Sequence, residues 1–492
     1  MGIIIKQSIQ NTIISYAGVA LGFVSTILLY PNILSPDEYG LTRLLISLAL
    51  ICAQFAHLGI NNIIIRFFPY FSESKESKRK LLTISLAVPF LGFVAFLLLY
   101  VIFEDFILSY YEERSVLYIE YYFYLVPLVF AVLFFEVLNS YARALKDSVT
   151  GSLLNEVLIR MVIIFFLVIH YFEWITFPQF MAGFVFTYSI QPVYMLIYLF
   201  RRNELALALP FKDIKRRFYK GMGVYGAYSL LGGLAMLLVG NIDIIMLSAM
   251  TDLGNTAVYA IAFYVASVIS IPQRSIGKIA TPLLAGFLKE KKYGQVESLY
   301  QRTSLNQIIG GALLYIGIWA NIDNLLYLLP PEYQGIRWVV IILGAAKLFG
   351  MGTGINGGII LNSRHYRFDL YTNILLVVLT ILTNYFLIQL YGLIGAAVAT
   401  AISIFIYNFI KFIFVWIKFS MQPFQWSSLA VLATAAGTLL LSFRVPYLGN
   451  FFTDIIIRSL SITVFYVGVI LLFNLSEDVR NLVRKGFERL RG

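Results

Sequence analysis

Residues 41–66 read LTRLLISLALICAQFAHLGINNIIIR. At 1.5 Å rise per residue, about 20 apolar residues cross the hydrocarbon core of a bilayer, so this stretch is long enough to span one. Inside lipid, where water offers no hydrogen bonds, its backbone is satisfied only as a helix. One side of that helix is polar. At 100° per residue, Arg43, Ser47, Gln54, His57 and Asn61 fall within an arc of about 80°. A polar side chain at mid-depth costs a few kcal/mol unless it faces protein or water, so a shared face predicts a hydrated cavity along span two.

Thirteen further stretches have the length of a span. Those at 12–34, 82–103, 117–141, 150–171 and 178–200 complete a first group of six. Those at 222–249, 256–285, 303–320, 336–361, 366–390, 392–417, 426–443 and 455–474 follow. Composition agrees: 60% of residues are hydrophobic and 13% charged, with a mean hydropathy of +0.81. An ordinary soluble domain is about 45–50% apolar and about 25% charged. A membrane β-barrel would instead show short segments of alternating hydrophobicity. The expected fold is an all-α polytopic membrane protein of about 14 transmembrane helices.

Lysine and arginine in the connectors orient it. Segments 72–80, 201–220, 288–302 and 475–492 carry twenty between them, whereas 104–116, 171–178, 250–256, 321–337 and 443–454 carry three. Both termini are expected in the cytoplasm, as an even number of spans requires. The formal charge of +11 follows from this asymmetry and from attraction to anionic membrane lipids, with no nucleic-acid partner needed. Only Lys6 precedes the first apolar run and no small-residue cleavage site follows it, so span one is expected to be retained rather than removed as a signal peptide. The single cysteine, Cys52, excludes an internal disulfide framework.

No enzyme motif is evident. His57, His170 and His365 are far apart, and nothing has metal-ligand, nucleophile-elbow or P-loop spacing. The chain is therefore expected to have no catalytic residue, no metal and no cofactor; a membrane-embedded glycosyl- or acyltransferase is the enzyme alternative.

No connector exceeds about 20 residues, so function lies in the bilayer. The basic connector 201–221 divides the chain into an N-terminal six-helix lobe, 1–200, and a C-terminal one, 222–420. Two additional spans at 421–474 and a cytoplasmic amphipathic tail at 475–492 follow, with Ser476 as the tail's N-cap. A faint repeat supports the division: Ser35-Pro-Asp-Glu-Tyr-Gly-Leu-Thr-Arg resembles Thr251-Asp-Leu-Gly-Asn-Thr-Ala-Val-Tyr.

Other spans carry costly polar groups. On span eight Ser267, Arg274 and Lys278 lie within about 40° of one another near Pro272. Two cations a turn apart repel unless an anion or carboxylate lies between them or both snorkel to headgroups. Span ten carries Lys347, then Gly350, Gly354 and Gly358 on nearly the same face. Glu156 and Arg160 on span five, at i,i+4 with the acid first, have the favourable order for an ion pair. Asp243, on the span-seven face of Tyr225 and Ser229, is either the charge partner of a cation or a proton site.

Several segments resemble one known family. They are Leu29-Tyr-Pro-Asn-Ile-Leu-Ser-Pro-Asp-Glu-Tyr-Gly40, His57-Leu-Gly-Ile-Asn with Arg66-Phe, Ile242-Asp-Ile-Ile-Met-Leu, Ala257-Val-Tyr, and Asn384-Tyr-Phe-Leu-Ile-Gln-Leu-Tyr-Gly-Leu-Ile-Gly-Ala-Ala. They look like the polysaccharide biosynthesis family of oligosaccharide-lipid flippases, within the multidrug/oligosaccharidyl-lipid/polysaccharide exporter superfamily. The resemblance implies two six-helix lobes around a central cavity plus two C-terminal helices. It also implies export, across the bacterial plasma membrane, of undecaprenyl-diphosphate-linked oligosaccharide for O-antigen, capsule or another surface polysaccharide, alongside polymerase and glycosyltransferase partners.

On that reading a diphosphate in a low-dielectric cavity requires fixed cations, for which Arg274, Lys278 and Lys347 are the first candidates and Arg43 and Arg160 the reserves. Gln54, His57, Asn61 and Ser267 would line the sugar path, while Asp243 and Glu156 would serve ion coupling or charge pairing. A multidrug or cation exporter of the same fold is the transport alternative and would need intramembrane acids.

Overall fold

The computed structural model describes residues 2–72, 74–208, 216–444 and 449–491. Among them every regular element is helical. Residues 209–215 of the expected interfacial connector lie outside the described set, as does Gly492 of the tail. Nine described helices are long and apolar enough to cross a membrane, or up to eleven if each of two bent pairs is one span. Large apolar side chains are exposed along them, among them Ile102, Phe186, Phe452 and Leu472. In water such surfaces would associate; in a bilayer they meet lipid.

The chain divides into two compact units, 1–257 and 258–492. In the first, helix Pro36–Ala56 begins where the sequence provides a start signal. Glu38 N–H donates to Ser35 Oγ at 3.3 Å, Ser35 N–H donates to Glu38 Oε2 at 2.8 Å, and Pro36 occupies the first turn. Its core gathers Ile64, Leu81, Leu138, Tyr141 and Leu199.

Span two does not run straight to Arg66. Helix Pro36–Ala56 stops at His57, Leu58 and Gly59 take positive φ of 49° and 77°, and helix Ile60–Phe71 starts afresh. The single polar stripe expected from Arg43 to Asn61 is therefore interrupted, because a left-handed turn resets the 100° periodicity. Glycine is required at the turn for a second reason: a Cβ on Gly59 would lie 2.1 Å from the carbonyl oxygen of Gly226, on helix Arg216–Met250. Two wide π turns, Val24–Leu29 in span one and Leu154–Leu158 in span five, also lie in this unit.

In the second unit the 54-residue helix Tyr366–Phe419 contains both expected spans 366–390 and 392–417, broken at Gly392 with φ 54° and ψ −128°. The two halves run antiparallel. Thr383 meets Ser403, Asn373 meets Tyr407 and Asp369 meets Lys411, so the paired numbers rise on one side as they fall on the other. Span ten is also broken. Helix Ile336–Gly352 ends before Gly354, whose φ is 60°, and Asn356–Leu361 follows as a separate turn and a half. The expected continuous ridge of Gly350, Gly354 and Gly358 is thus not one helix face.

The C-terminal helices Trp426–Ser442 and Phe451–Leu472 pack on helix Tyr293–Ala320 through Ile308, Ala312, Val431, Ile462 and Tyr466. Helix Glu477–Arg491 ends the chain, and Ser476 Oγ accepts the Val479 N–H at 3.3 Å, as expected of an N-cap. The side chains of Leu482, Phe487 and Leu490 lie outside the described residues.

Candidate functional site

The polar residues of each unit form separate groups. In the second unit, Arg274 and Lys278 are exposed one turn apart on helix Ile271–Lys289, on a different face from buried Ala280 and Leu284. Neither makes an ion pair or side-chain hydrogen bond among the described residues. Ser267 belongs to helix Leu253–Val268, which is bent 50° from Ile271–Lys289, and its hydroxyl donates to Tyr264 O at 2.7 Å. The bend removes it from the face it was expected to share with the two cations. Lys347, part-buried, places its Nζ 4.6 Å from the centre of the Phe263 ring. That cation–π contact offsets part of its burial.

In the first unit Arg43 lies over the rings of Tyr30 at 5.0 Å and Tyr39 at 4.9 Å, which stack with centroids 4.5 Å apart. Its Nε is buried with no hydrogen-bond partner. Arg160 forms the expected pair with Glu156, N to O 3.3 Å, and also donates to the carbonyl of Gly18. Gly18 is what admits this contact, since a Cβ there would meet both charged groups at under 3 Å.

Gln54 and His57 are joined directly. The Gly59 N–H donates to His57 Nδ1 at 2.9 Å, which leaves Nε2 to donate to Gln54 Oε1 at 2.7 Å. Asn61 sits beyond the turn on the next helix, with its Oδ1 buried and unpartnered. One residue later, the Asn62 amide donates to Ser229 Oγ at 2.5 Å, and Arg66 lies 4.2 Å over the Tyr225 ring. These contacts tie span two to the first part of helix Arg216–Met250, while Asp243, 1% exposed, lies beyond the 49° bend between Ala235 and Leu237.

Two buried charge networks escaped the reading of the sequence. Lys411 Nζ lies 2.6 Å from Asp369 Oδ1 and donates to the Tyr407 hydroxyl, which itself donates to Asn373 Oδ1 at 2.7 Å. Asn373 closes the ring by donating to Asp369 Oδ2 at 3.1 Å. A lysine and an aspartate near the same end of two adjacent antiparallel spans were the available signal. In the last span Arg458 meets Asp454 through two hydrogen bonds of 3.1 Å, while the Asn324 amide donates to Asp454 at 2.6 Å. Acid before base at i,i+4 was the signal here, as for Glu156 and Arg160.

Such an arrangement holds buried cations in place and leaves Arg274 and Lys278 without a side-chain partner among the described residues. No set of nucleophile, base and oxyanion donors is assembled among the residues described above.

Solved structures share this fold. The lipid II flippase MurJ in an inward closed conformation is 13% identical with a TM-score of 0.73, covering 97% of this chain and 100% of that one. An inward-facing multidrug resistance transporter of the MATE family, in the MOP superfamily, is 16% identical with a TM-score of 0.62, covering 83% and 94%. An outward-facing transporter of that family gives 16% and 0.55, covering 84% and 96%. At these identities the likeness is one of fold. No curated protein matches the chain. A family profile described as polysaccharide biosynthesis protein matches residues 4–287, which is more than half of the sequence, and the chain therefore belongs to the polysaccharide biosynthesis protein family.

Proposed function

We propose that this protein is a flippase. By alternating access it moves an undecaprenyl-diphosphate-linked oligosaccharide from the cytoplasmic to the outer leaflet of the bacterial plasma membrane, for assembly of O-antigen, capsule or a related polysaccharide. Membership of the polysaccharide biosynthesis family supports the reading, and the fold is that of a lipid II flippase. The observation that carries it is the unpaired couple Arg274 and Lys278, exposed one turn apart on helix Ile271–Lys289, the second half of a bent apolar pair. Two uncompensated cations this close call for an anion, and a diphosphate supplies two charges.

Lys347 is the third diphosphate ligand on this reading. Arg43 is a reserve with a free Nε, whereas Arg160 is already neutralised by Glu156. Gln54, His57 and Asn61 meet sugar hydroxyls. Asp243 and Glu156 serve ion coupling or charge pairing, and Asp243 need not carry a proton, because an inside-negative potential favours outward movement of each negative charge by about 2.3 kcal/mol per 100 mV.

Alanine at Arg274 or Lys278 removes a charge-assisted contact of about 1.5–3 kcal/mol, equal to about 10- to 100-fold in binding. Surface polysaccharide should fall in both variants at normal membrane levels of protein, with Arg274→Lys retaining much of the activity. Normal export by the double variant Arg274→Ala/Lys278→Ala would overturn the proposal.

A multidrug exporter is the second reading, favoured by the fold of the MATE transporters and by Asp243 as a buried acid. Drug resistance that depends on Asp243, with polysaccharide unchanged, would select it.

A further inference from the structure

A groove of about 580 Å³ lies in the first unit between helices Lys75–Ile102, Leu125–Ala144 and Phe177–Arg201, which belong to spans three, four and six. Its lining runs from Thr83 to Phe90 on the first helix, from Phe130 to Leu138 on the second and from Ser189 to Leu196 on the third. Contacts beyond the groove fix which ends meet. Phe130 packs on Phe93 with ring centres 5.2 Å apart at one end, whereas Leu138 and Leu199 share a core with Leu81 and Leu82 at the other.

The polar groups of the lining are already engaged. Thr83 Oγ1 donates to Arg79 O at 2.9 Å and accepts the Ala208 N–H at 3.0 Å, while Ser189 Oγ donates to Val185 O at 3.1 Å. The remaining lining side chains are hydrocarbon, so the groove suits an apolar chain and would leave a polar ligand without partners.

Depth in the membrane selects which chain. The Thr83 end adjoins the basic connectors 72–80 and 201–220, and Leu207 of the second lines the groove there. Lysine and arginine in connectors mark the cytoplasmic side, which puts the groove in the cytoplasmic half of the bilayer. Seven or eight residues of helix at 1.5 Å each give it a length of about 11 Å, against about 15 Å for one leaflet of a roughly 30 Å hydrocarbon core. One acyl chain of that leaflet matches this length, whereas a polyprenyl chain, several times longer, overruns it. Phe90 and Val193, 52% and 54% exposed, leave the flank open to lipid.

A headgroup partner stands at the mouth. Arg79 lies one turn before Thr83 on the same helix face, exposed and without an ion pair or side-chain hydrogen bond among the described residues. A guanidinium beside a basic connector is level with lipid phosphates, which it binds through paired N–H donors.

We propose that this groove seats one acyl chain of a phospholipid of the cytoplasmic leaflet, with the lipid's phosphate held by Arg79. The chain fills the gap among spans three, four and six. Connector residues 204–208, pinned by the Thr83 contact and by the Lys78–Glu204 ion pair of 3.6 Å, lie at the cytoplasmic end of the seated chain. The site is independent of what the protein transports.

The test is native mass spectrometry of the full-length protein, taken into mild detergent from vesicles of equal phosphatidylglycerol and undecaprenyl phosphate. Both probes carry an anionic phosphate, so the chain decides between them. Wild type should retain one phosphatidylglycerol. Ala87→Trp and Val193→Trp, at exposed lining positions where the new ring enters the groove rather than the core, should each retain several-fold less. Arg79→Gln should also retain several-fold less, and Arg79→Lys, which keeps a cation at the phosphate, should stay near wild type.

Wild type that retains undecaprenyl phosphate in place of phosphatidylglycerol, or neither lipid, overturns the proposal. So does unchanged retention in either tryptophan variant, which would make the lipid part of the general annulus, or in Arg79→Gln, which would put the phosphate elsewhere. Size-exclusion profiles identify any variant that fails to fold; the wild-type comparison of the two lipids stands regardless.

Discussion

Lys411 and Asp369, 42 residues apart in sequence, meet at 2.6 Å across the hairpin that turns at Gly392, with 4% and 16% of their side chains exposed. Around them Tyr407 and Asn373 satisfy the remaining donors and acceptors, and Lys411 also lies 4.1 Å from the Tyr407 ring centre. Asn408, next to Tyr407 in sequence, accepts from the Thr353 hydroxyl at 3.2 Å beside the break in span ten. The network thus fastens two spans to each other, and the neighbouring Asn408 joins one of them to a third at its break.

Breaking one half of this pair should be costly, while removing both need not be. Lys411→Met leaves a buried carboxylate unpaired and should destabilise the protein by about 3–5 kcal/mol, whereas Lys411→Met/Asp369→Leu should recover most of the loss. Thermal unfolding of the detergent-solubilised variants measures both. A double variant as unstable as the single one would show that the remaining polar partners, not the charge pair, hold the hairpin.

Gly59→Ala should be far more damaging than alanine at an open glycine of the same unit. Its φ of 77° costs a side chain about 1–2 kcal/mol, and the new methyl would press on Gly226 O. Gly240, helical with nothing within 4 Å of the added carbon, should gain up to about 1 kcal/mol as alanine. Melting temperatures moving in opposite directions would fit this contrast; equal shifts would not.

The docking of the tail should depend on pH in one direction only. Its hydrogen bond from Arg302 holds the Asp478 carboxyl below the usual carboxylate range, against the opposing effect of burial and with help from Asn306. A depressed value stabilises the docked tail at all pH above the ordinary carboxylate pKa of about 3.9, and the stabilisation is lost as pH falls through the lower, folded value. Limited proteolysis of residues 477–491 should be constant from pH 8 to about 5 and rise only below about 4. Release already near pH 6 would point to a different latch.

The orientation rests on charge counting and has its own check. Reporter fusions after residues 80, 215 and 492 should report cytoplasm, and those after 110 and 327 the outer side. An outward C-terminus would mean that the number of spans is odd.

Local features were legible before any coordinates. The i,i+4 order of Glu156 and Arg160 gave their ion pair, and Ser476 capped the tail as its spacing suggested. Each depends on residues within one helical turn, where the geometry is fixed by the backbone. Faces projected over longer distances failed at particular residues. The stripe from Arg43 to Asn61 ended at Leu58 and Gly59, and the ridge beyond Lys347 ended at Gly354, because a positive φ reorients everything after it.

The sequence by itself determined that this chain lives in a membrane, that it is helical throughout its spans, and to which family it resembles. Those properties follow from hydropathy and from the bilayer's refusal of unpaired backbone, both of which accumulate residue by residue. Which charges are satisfied was decided only by tertiary structure. Arg160, Lys411 and Arg458 each found a carboxylate, while Arg274 and Lys278, exposed on their helix, found none among the described residues. Pairing depends on which helix faces come within about 4 Å, and that is set by turns, glycine contacts and packing between segments distant in the chain.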